Sequence, residues 1–139
     1  MPSSGSSGWQ RDDPVAQRIA VDGTRVRWVG SVMGKARDEL VAGARVALFP
    51  LRWNEPGGTA VVESLALGTP VVGIGRGCLP ELVEHGRTGL LTTAEDELGD
   101  LVEAVGVLDE RECQEQAARR FTPAVMAAQY LKIYERLIA

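Results

Sequence analysis

The sequence predicts an α/β domain built on a parallel sheet. Three features point there: strand-length apolar runs alternate with helix-length segments, two of those runs are apolar without a break, and the last third of the chain reads as helix. Strand–helix–strand order demands crossover connections, which are right-handed and lay helices against the faces of a parallel sheet.

Residues 1–11, opening MPSSGSSGWQ, are Ser/Gly-rich and offer too little apolar surface to bury. They are expected to form a disordered leader to a single domain over 12–139. Asp13 followed by Pro14 reads as a helix start leading into VAQRIA, an N-cap and then proline in the first turn. About four strands follow, at Arg25–Gly30, Arg45–Pro50, Pro70–Gly75 and Gly89–Thr93. Between them lie KARDELVAGA, TAVVESLAL and the shorter PELVEH, each a helix candidate. Val46-Ala47-Leu48-Phe49 and Val71-Val72 are continuously apolar, as strands covered on both faces are. The first run instead alternates Arg25 and Arg27 with Val26 and Trp28, the pattern of a strand at one side of a sheet. In the C-terminal third, Thr92 with Glu95 and Asp109 with Glu112 fit capping boxes. Leu98, Leu101, Val102, Val105 and Leu108 form one apolar stripe, and Thr122-Pro123 opens a last helix lined by Met126, Tyr130, Ile133 and Leu137.

Composition removes several function classes. With 139 residues there is room for one domain with its own core. A net charge of −4 with acids and bases interspersed provides no basic field for nucleic acid or anionic lipid. The apolar runs are far shorter than the roughly 20 residues that span a bilayer, so no transmembrane segment is expected, and no signal-peptide pattern is visible. A cytoplasmic location is therefore expected, with Cys78 and Cys113 as unpaired thiols. His85, the lone histidine, lacks the neighbours of a metal site or a Ser-His-Asp triad. No metal and no cofactor are expected.

Ligands of an open parallel sheet bind beyond the carboxyl ends of its strands, near helix N-termini. Two crossovers offer such a place. Gly73-Ile-Gly75-Arg-Gly77 lacks the third glycine of the dinucleotide fingerprint, Cys78 standing there, and no P-loop occurs. The other crossover runs Phe49-Pro-Leu-Arg-Trp-Asn-Glu55-Pro-Gly57-Gly58-Thr59-Ala-Val-Val-Glu63. Its glycines let backbone amides approach a phosphate or sugar at a helix N-terminus, and its carboxylates can accept from paired sugar hydroxyls. Val61, Val62 and Leu65 form the core stripe of that helix, with Glu63 roughly opposite. A solvated helix glutamate and a plain Gly-Gly turn stand as the alternative reading of these residues.

At this segment the chain resembles the family 4, or group 1, glycosyltransferases. Their pattern is E-P-F-G-φ-x-x-x-E-A-φ-A-x-G-T-P-V-V, with φ apolar. Here the run is Glu55-Pro-Gly-Gly-Thr-Ala-Val-Val-Glu63-Ser-Leu-Ala-Leu-Gly68-Thr-Pro70-Val-Val, followed by Arg76-Gly77-Cys-Leu-Pro80-Glu81-Leu-Val and Gly86-Arg-Thr-Gly89-Leu-Leu. The likeness extends from about Val26 to Ala139. It implies the C-terminal, donor-binding half of a GT-B fold, a Rossmann-like sheet flanked by helices. It further implies a retaining, metal-independent sugar transfer from a UDP-, GDP- or ADP-sugar to an unknown acceptor. By the same resemblance Glu55 is the catalytic-site carboxylate on the donor sugar, and Glu63 holds the ribose hydroxyls. Gly57, Gly58 and Thr59 offer backbone contacts, and Arg76 approaches the diphosphate. Glu81 is expected in a structural ion pair rather than a donor contact, and Trp53 in packing rather than beside the base or sugar.

The chain also departs from the pattern. Gly57 stands for the usual Phe, Thr59 for an apolar residue and Ser64 for Ala, which changes the shape around the sugar and leaves its identity open. The family's acceptor domain has no counterpart here. Nor do two strands of the donor domain, whose loop and helix supply an Arg and a Lys to the diphosphate. In the family's order those strands lie between Arg25–Gly30 and Arg45–Pro50, so the expectation is a truncated, inactive piece. Either the first run slides over to pair with the second, or an open edge invites self-association or docking to a separate chain. Two further readings are a non-catalytic interaction module and a protein resembling a sugar-nucleotide epimerase.

Overall fold

The computed structural model describes residues 23–139, so the leader and the Asp13-Pro14 helix start lie outside the described residues. The chain divides into two units, Met1–Ala36 and Arg37–Ala139. In the described part of the first, the Gly23 amide donates to the Val26 carbonyl (2.9 Å), closing a turn. An irregular stretch then leads into α1 (Gly34–Ala42). Arg25–Gly30, expected as the first strand, is not a strand. Val26, Trp28 and Val29 are exposed. Alternation is not enough to hold a strand when neither a sheet ladder nor a buried face accompanies it.

The second unit carries a parallel sheet of three strands among the described residues: β1 (Ala47–Phe49), β2 (Val71–Ile74) and β3 (Gly89–Thr92). Ala47 is opposite Val71, and Val71 opposite Gly89. β2 is the middle strand and is buried along its whole length, as its unbroken apolar run requires. Among the described residues β1 pairs with β2 alone, so the first run does not slide over to pair with it.

Helix α2 (Thr59–Ala66) connects β1 to β2, and the single-turn α3 (Leu79–Leu82) connects β2 to β3. α4 (Leu98–Ala104), α5 (Glu110–Arg120) and α6 (Pro123–Ile138) follow. Val61, Leu65, Val71, Cys78, Leu79, Val83, Cys113 and Ala117 form the core cluster, joining α2, β2, α3 and α5. Because side chains alternate along a strand, Val72 and Ile74 turn to the other face, where α4 packs on β2 and β3. The Leu98–Leu108 stripe is at least half-buried throughout, with Val105 fully buried.

Of the two expected capping boxes, that of Asp109 forms by half, its Oδ1 accepting from the Arg111 amide (2.9 Å), whereas Thr92 ends β3 and its Oγ1 accepts from the Ala94 amide (3.1 Å) without capping a helix. Their glutamates go elsewhere: Glu112 to Arg87 (2.5 Å) and Glu95 to Arg52 (3.0 Å). An arginine within reach is a stronger partner for a carboxylate than a backbone amide. Thr122 caps α6 through the Val125 amide (3.3 Å), and Met126, Tyr130, Ile133 and Leu137 on that helix are exposed.

Candidate functional site

The β1–α2 junction lies at the carboxyl end of the sheet, and two glycines shape it. Gly58 caps α2 with φ 60°, in the left-handed region. A Cβ there would lie 2.6 Å from Cys78 Sγ and 2.7 Å from Leu82 Cδ1, so a side chain is excluded by space as well as by φ. Its carbonyl accepts from the amides of Val61 (2.9 Å) and Val62 (3.2 Å), which starts the helix. No side chain caps this end. The earlier amides of the first turn have no intrahelical acceptor, and the helix dipole adds partial positive charge there. Thr59 and Ala60, the first two residues of that turn, are exposed.

Glu55 is half-buried in the same loop. Its Oε1 accepts from the Gly57 amide (3.4 Å), and its carbonyl accepts from the Cys78 amide (2.8 Å). The β2–α3 turn therefore braces the loop that carries the carboxylate. Arg76 belongs to that turn and ties the two loops again, donating Nη1 to the Arg52 carbonyl (2.9 Å). Arg52 grips Glu95 through two hydrogen bonds of 3.0 Å, which hold the Glu95 carboxyl below its ordinary value.

Glu63 lies one turn into α2, on the side away from Val61 and Leu65, as its spacing implied. It is not an isolated solvated glutamate. Arg37 Nη1 donates to Glu63 Oε2 (3.2 Å), while Nε and Nη2 of the same guanidinium donate to Asp38 Oδ1 (3.2 and 2.9 Å). Asp38 first and Glu63 next raise the Arg37 pKa above its ordinary value. Ser64, standing where the pattern has Ala, is buried and donates its hydroxyl to the Ala60 carbonyl (2.8 Å).

Other expectations are corrected. Trp53, expected to pack, is 61% exposed. Glu81 meets Arg120 through its backbone carbonyl (2.6 Å), and it is Glu84 that pairs with Arg87, Arg119 and Arg120. Glu84 lies at the end of α3, where arginines from α5 can reach it. His85 accepts at Nδ1 from the Leu91 amide (3.0 Å), a structural contact. Cys78 and Cys113 are unpaired buried thiols. Arg37 went unnoticed in the sequence, because its partner Glu63 lies 26 positions further on.

A parallel sheet with a glycine-capped helix N-terminus at its carboxyl edge is the Rossmann-like architecture of the C-terminal half of a GT-B glycosyltransferase. Residues 5–110, more than half of the chain, match the family described as glycosyl transferases group 1, and the chain belongs to that family. The D-inositol 3-phosphate glycosyltransferase of Mycobacteroides abscessus is 32% identical over 145 residues, covering 97% of this chain and 32% of that protein. The N-acetyl-alpha-D-glucosaminyl L-malate synthase of Bacillus anthracis is 30% identical over 104 residues, 69% of this chain and 27% of that protein. Among solved structures, a glycosyltransferase involved in avilamycin A biosynthesis superposes with a TM-score of 0.67 at 34% identity, over 83% of this chain and 37% of that one. Sucrose-phosphate synthase from Thermosynechococcus elongatus gives 0.73 at 24% identity, over 92% and 34%, a likeness of fold. The chain spans about a third of the length of these proteins. No helix among the described residues is long and apolar enough to cross a membrane.

Proposed function

We propose that this chain forms the sugar-nucleotide-binding part of a retaining glycosyltransferase, using a UDP-, GDP- or ADP-sugar and no metal. The observation that carries the reading is the β1–α2 junction. A half-buried carboxylate, Glu55, sits beside an uncapped helix N-terminus, and a second carboxylate, Glu63, follows one turn later. Amides and dipole suit the diphosphate; carboxylates suit vicinal hydroxyls, because each can accept two at once. Glu55 takes the donor sugar, Glu63 the ribose, and Gly57, Gly58 and Thr59 the backbone contacts. Charge on the leaving diphosphate is met by amides and by Arg76 once that side chain leaves the Arg52 carbonyl. By the family resemblance the acceptor is bound by a separate domain, and this chain spans about a third of its relatives, so on this reading the chain alone transfers no sugar at a useful rate.

Calorimetric titration with UDP-, GDP- and ADP-sugars tests this directly. Weak binding of one of them, reduced by Glu63→Gln and by Glu55→Gln, supports the reading. A folded chain that binds none of them, with Glu63→Gln indistinguishable from wild type, rejects it.

A second reading is a module that docks to another chain. It is favoured by β1 ending the sheet on one side among the described residues, since an edge strand offers ladder groups for pairing. Sedimentation at rising concentration separates self-association from a monomer that awaits a different partner.

A further inference from the structure

Three links fix Arg37 in place. Its helix is tied to the turn after α2 by buried Thr69, whose hydroxyl donates to the Val41 carbonyl (2.7 Å). Arg37 is one turn before Val41, and its guanidinium reaches α2 at Glu63. Asp38 then holds two of its guanidinium nitrogens, leaving Nη1 for Glu63 Oε2. The Arg37 and Glu63 side chains are 41% and 42% exposed. An ion pair this wet contributes little to folding, so stability does not account for such an ordered chain of three charges.

We propose that Arg37 is a positioning residue for ribose recognition: clamped by Asp38, it fixes the Glu63 carboxylate so that the remaining lone pairs accept the two hydroxyls of a nucleotide ribose. This rests on the reading of Glu63 given above and adds to it what makes that carboxylate selective. A carboxylate has about four lone-pair sites, of which Arg37 occupies one, leaving enough for a vicinal diol. Without the clamp the side chain rotates, and binding must supply the ordering entropy. The penalty falls only on ligands that use Glu63, which means those that carry the diol.

The test compares UDP, GDP and ADP with their 2′,3′-dideoxy counterparts, titrated into the full chain as wild type, Arg37→Met, Arg37→Lys, Asp38→Asn and Glu63→Gln. In wild type the ribo form binds more tightly than the dideoxy form. Arg37→Met lowers that preference by on the order of five- to tenfold, Arg37→Lys restores part of it, and Asp38→Asn falls between. Dideoxy affinity and melting temperature stay at wild-type values. If the preference persists in Arg37→Met but vanishes in Glu63→Gln, the positioning role is wrong and the site reading stands. If wild type shows no preference and Glu63→Gln changes nothing, the site reading fails and takes this inference with it. Equal loss of both affinities together with a lower melting temperature marks a structural role and also overturns the proposal.

Discussion

Gly77 lies directly against the backbone of Glu55. A Cβ on Gly77 would stand 2.5 Å from both the amide nitrogen and the carbonyl oxygen of Glu55, and Gly77 has φ +60°. One residue later, the Cys78 amide donates to that same carbonyl. The β2–α3 turn thus serves as the floor on which the Glu55 loop rests, and its glycine is required twice over, for φ and for space.

Gly77→Ala should therefore destabilise the chain by about 1–3 kcal/mol, from left-handed strain plus the forced retreat of the Glu55 loop. Gly57→Ala is the control, because a Cβ there meets nothing within 4 Å. Urea denaturation of both variants checks this, and an unchanged midpoint for Gly77→Ala would count against the packing described.

The core and the last helix should respond very differently to substitution. Leu65 is fully buried among α2, β2 and α5, so Leu65→Ala costs about 2–5 kcal/mol. Ile133 and Leu137 are exposed on α6, and replacing either by Gln changes stability by less than about 0.5 kcal/mol. A large loss on α6 would mean that something covers that face in solution.

The Arg52–Glu95 pair gives a pH dependence of known sign. Its carboxyl is depressed in the folded chain, so whatever stability the pair adds is present above the ordinary value of 4.5 and is lost as pH falls through the lower folded value. The group is exposed, so the effect is small. Melting temperatures of wild type and Arg52→Met should differ most near neutral pH and converge as the Glu95 carboxylate is protonated on acidification. A gap that widens on acidification contradicts the assignment.

Both thiols should resist labelling in the native chain. Burial pushes Cys113 up to about 11 and also raises Cys78, so little thiolate, the reactive form, exists at neutral pH. Iodoacetamide trapping followed by mass spectrometry should find each slow in buffer and fast in denaturant. Rapid native labelling of Cys113 would mean that α5 opens readily.

Three of the four expected strands were legible because each coincides with an unbroken apolar run, or with a Gly-bounded one, that the sheet can bury. Arg25–Gly30 misled because an alternating pattern records how a stretch behaves once a neighbour exists, and carries no information on whether one does. In the junction, the glycines and Glu55 were readable as a loop entering a helix. The brace from Gly77 and the clamp from Arg37 were not, since both join residues more than 20 positions apart and neither leaves a local signature. Glu84 escaped for the same reason: which carboxylate gathers the α5 arginines is decided by where α3 stops.

The central claim is that the β1–α2 junction receives a sugar nucleotide. The most direct measurement follows backbone amide chemical shifts while UDP-, GDP- and ADP-sugars are added to the labelled chain. The account predicts that, for at least one of them, the largest changes fall on Gly57, Gly58, Thr59 and Glu63, with smaller ones at Arg76 and Arg37. Saturating nucleotide that leaves those amides unmoved, or that shifts a different surface, would contradict it.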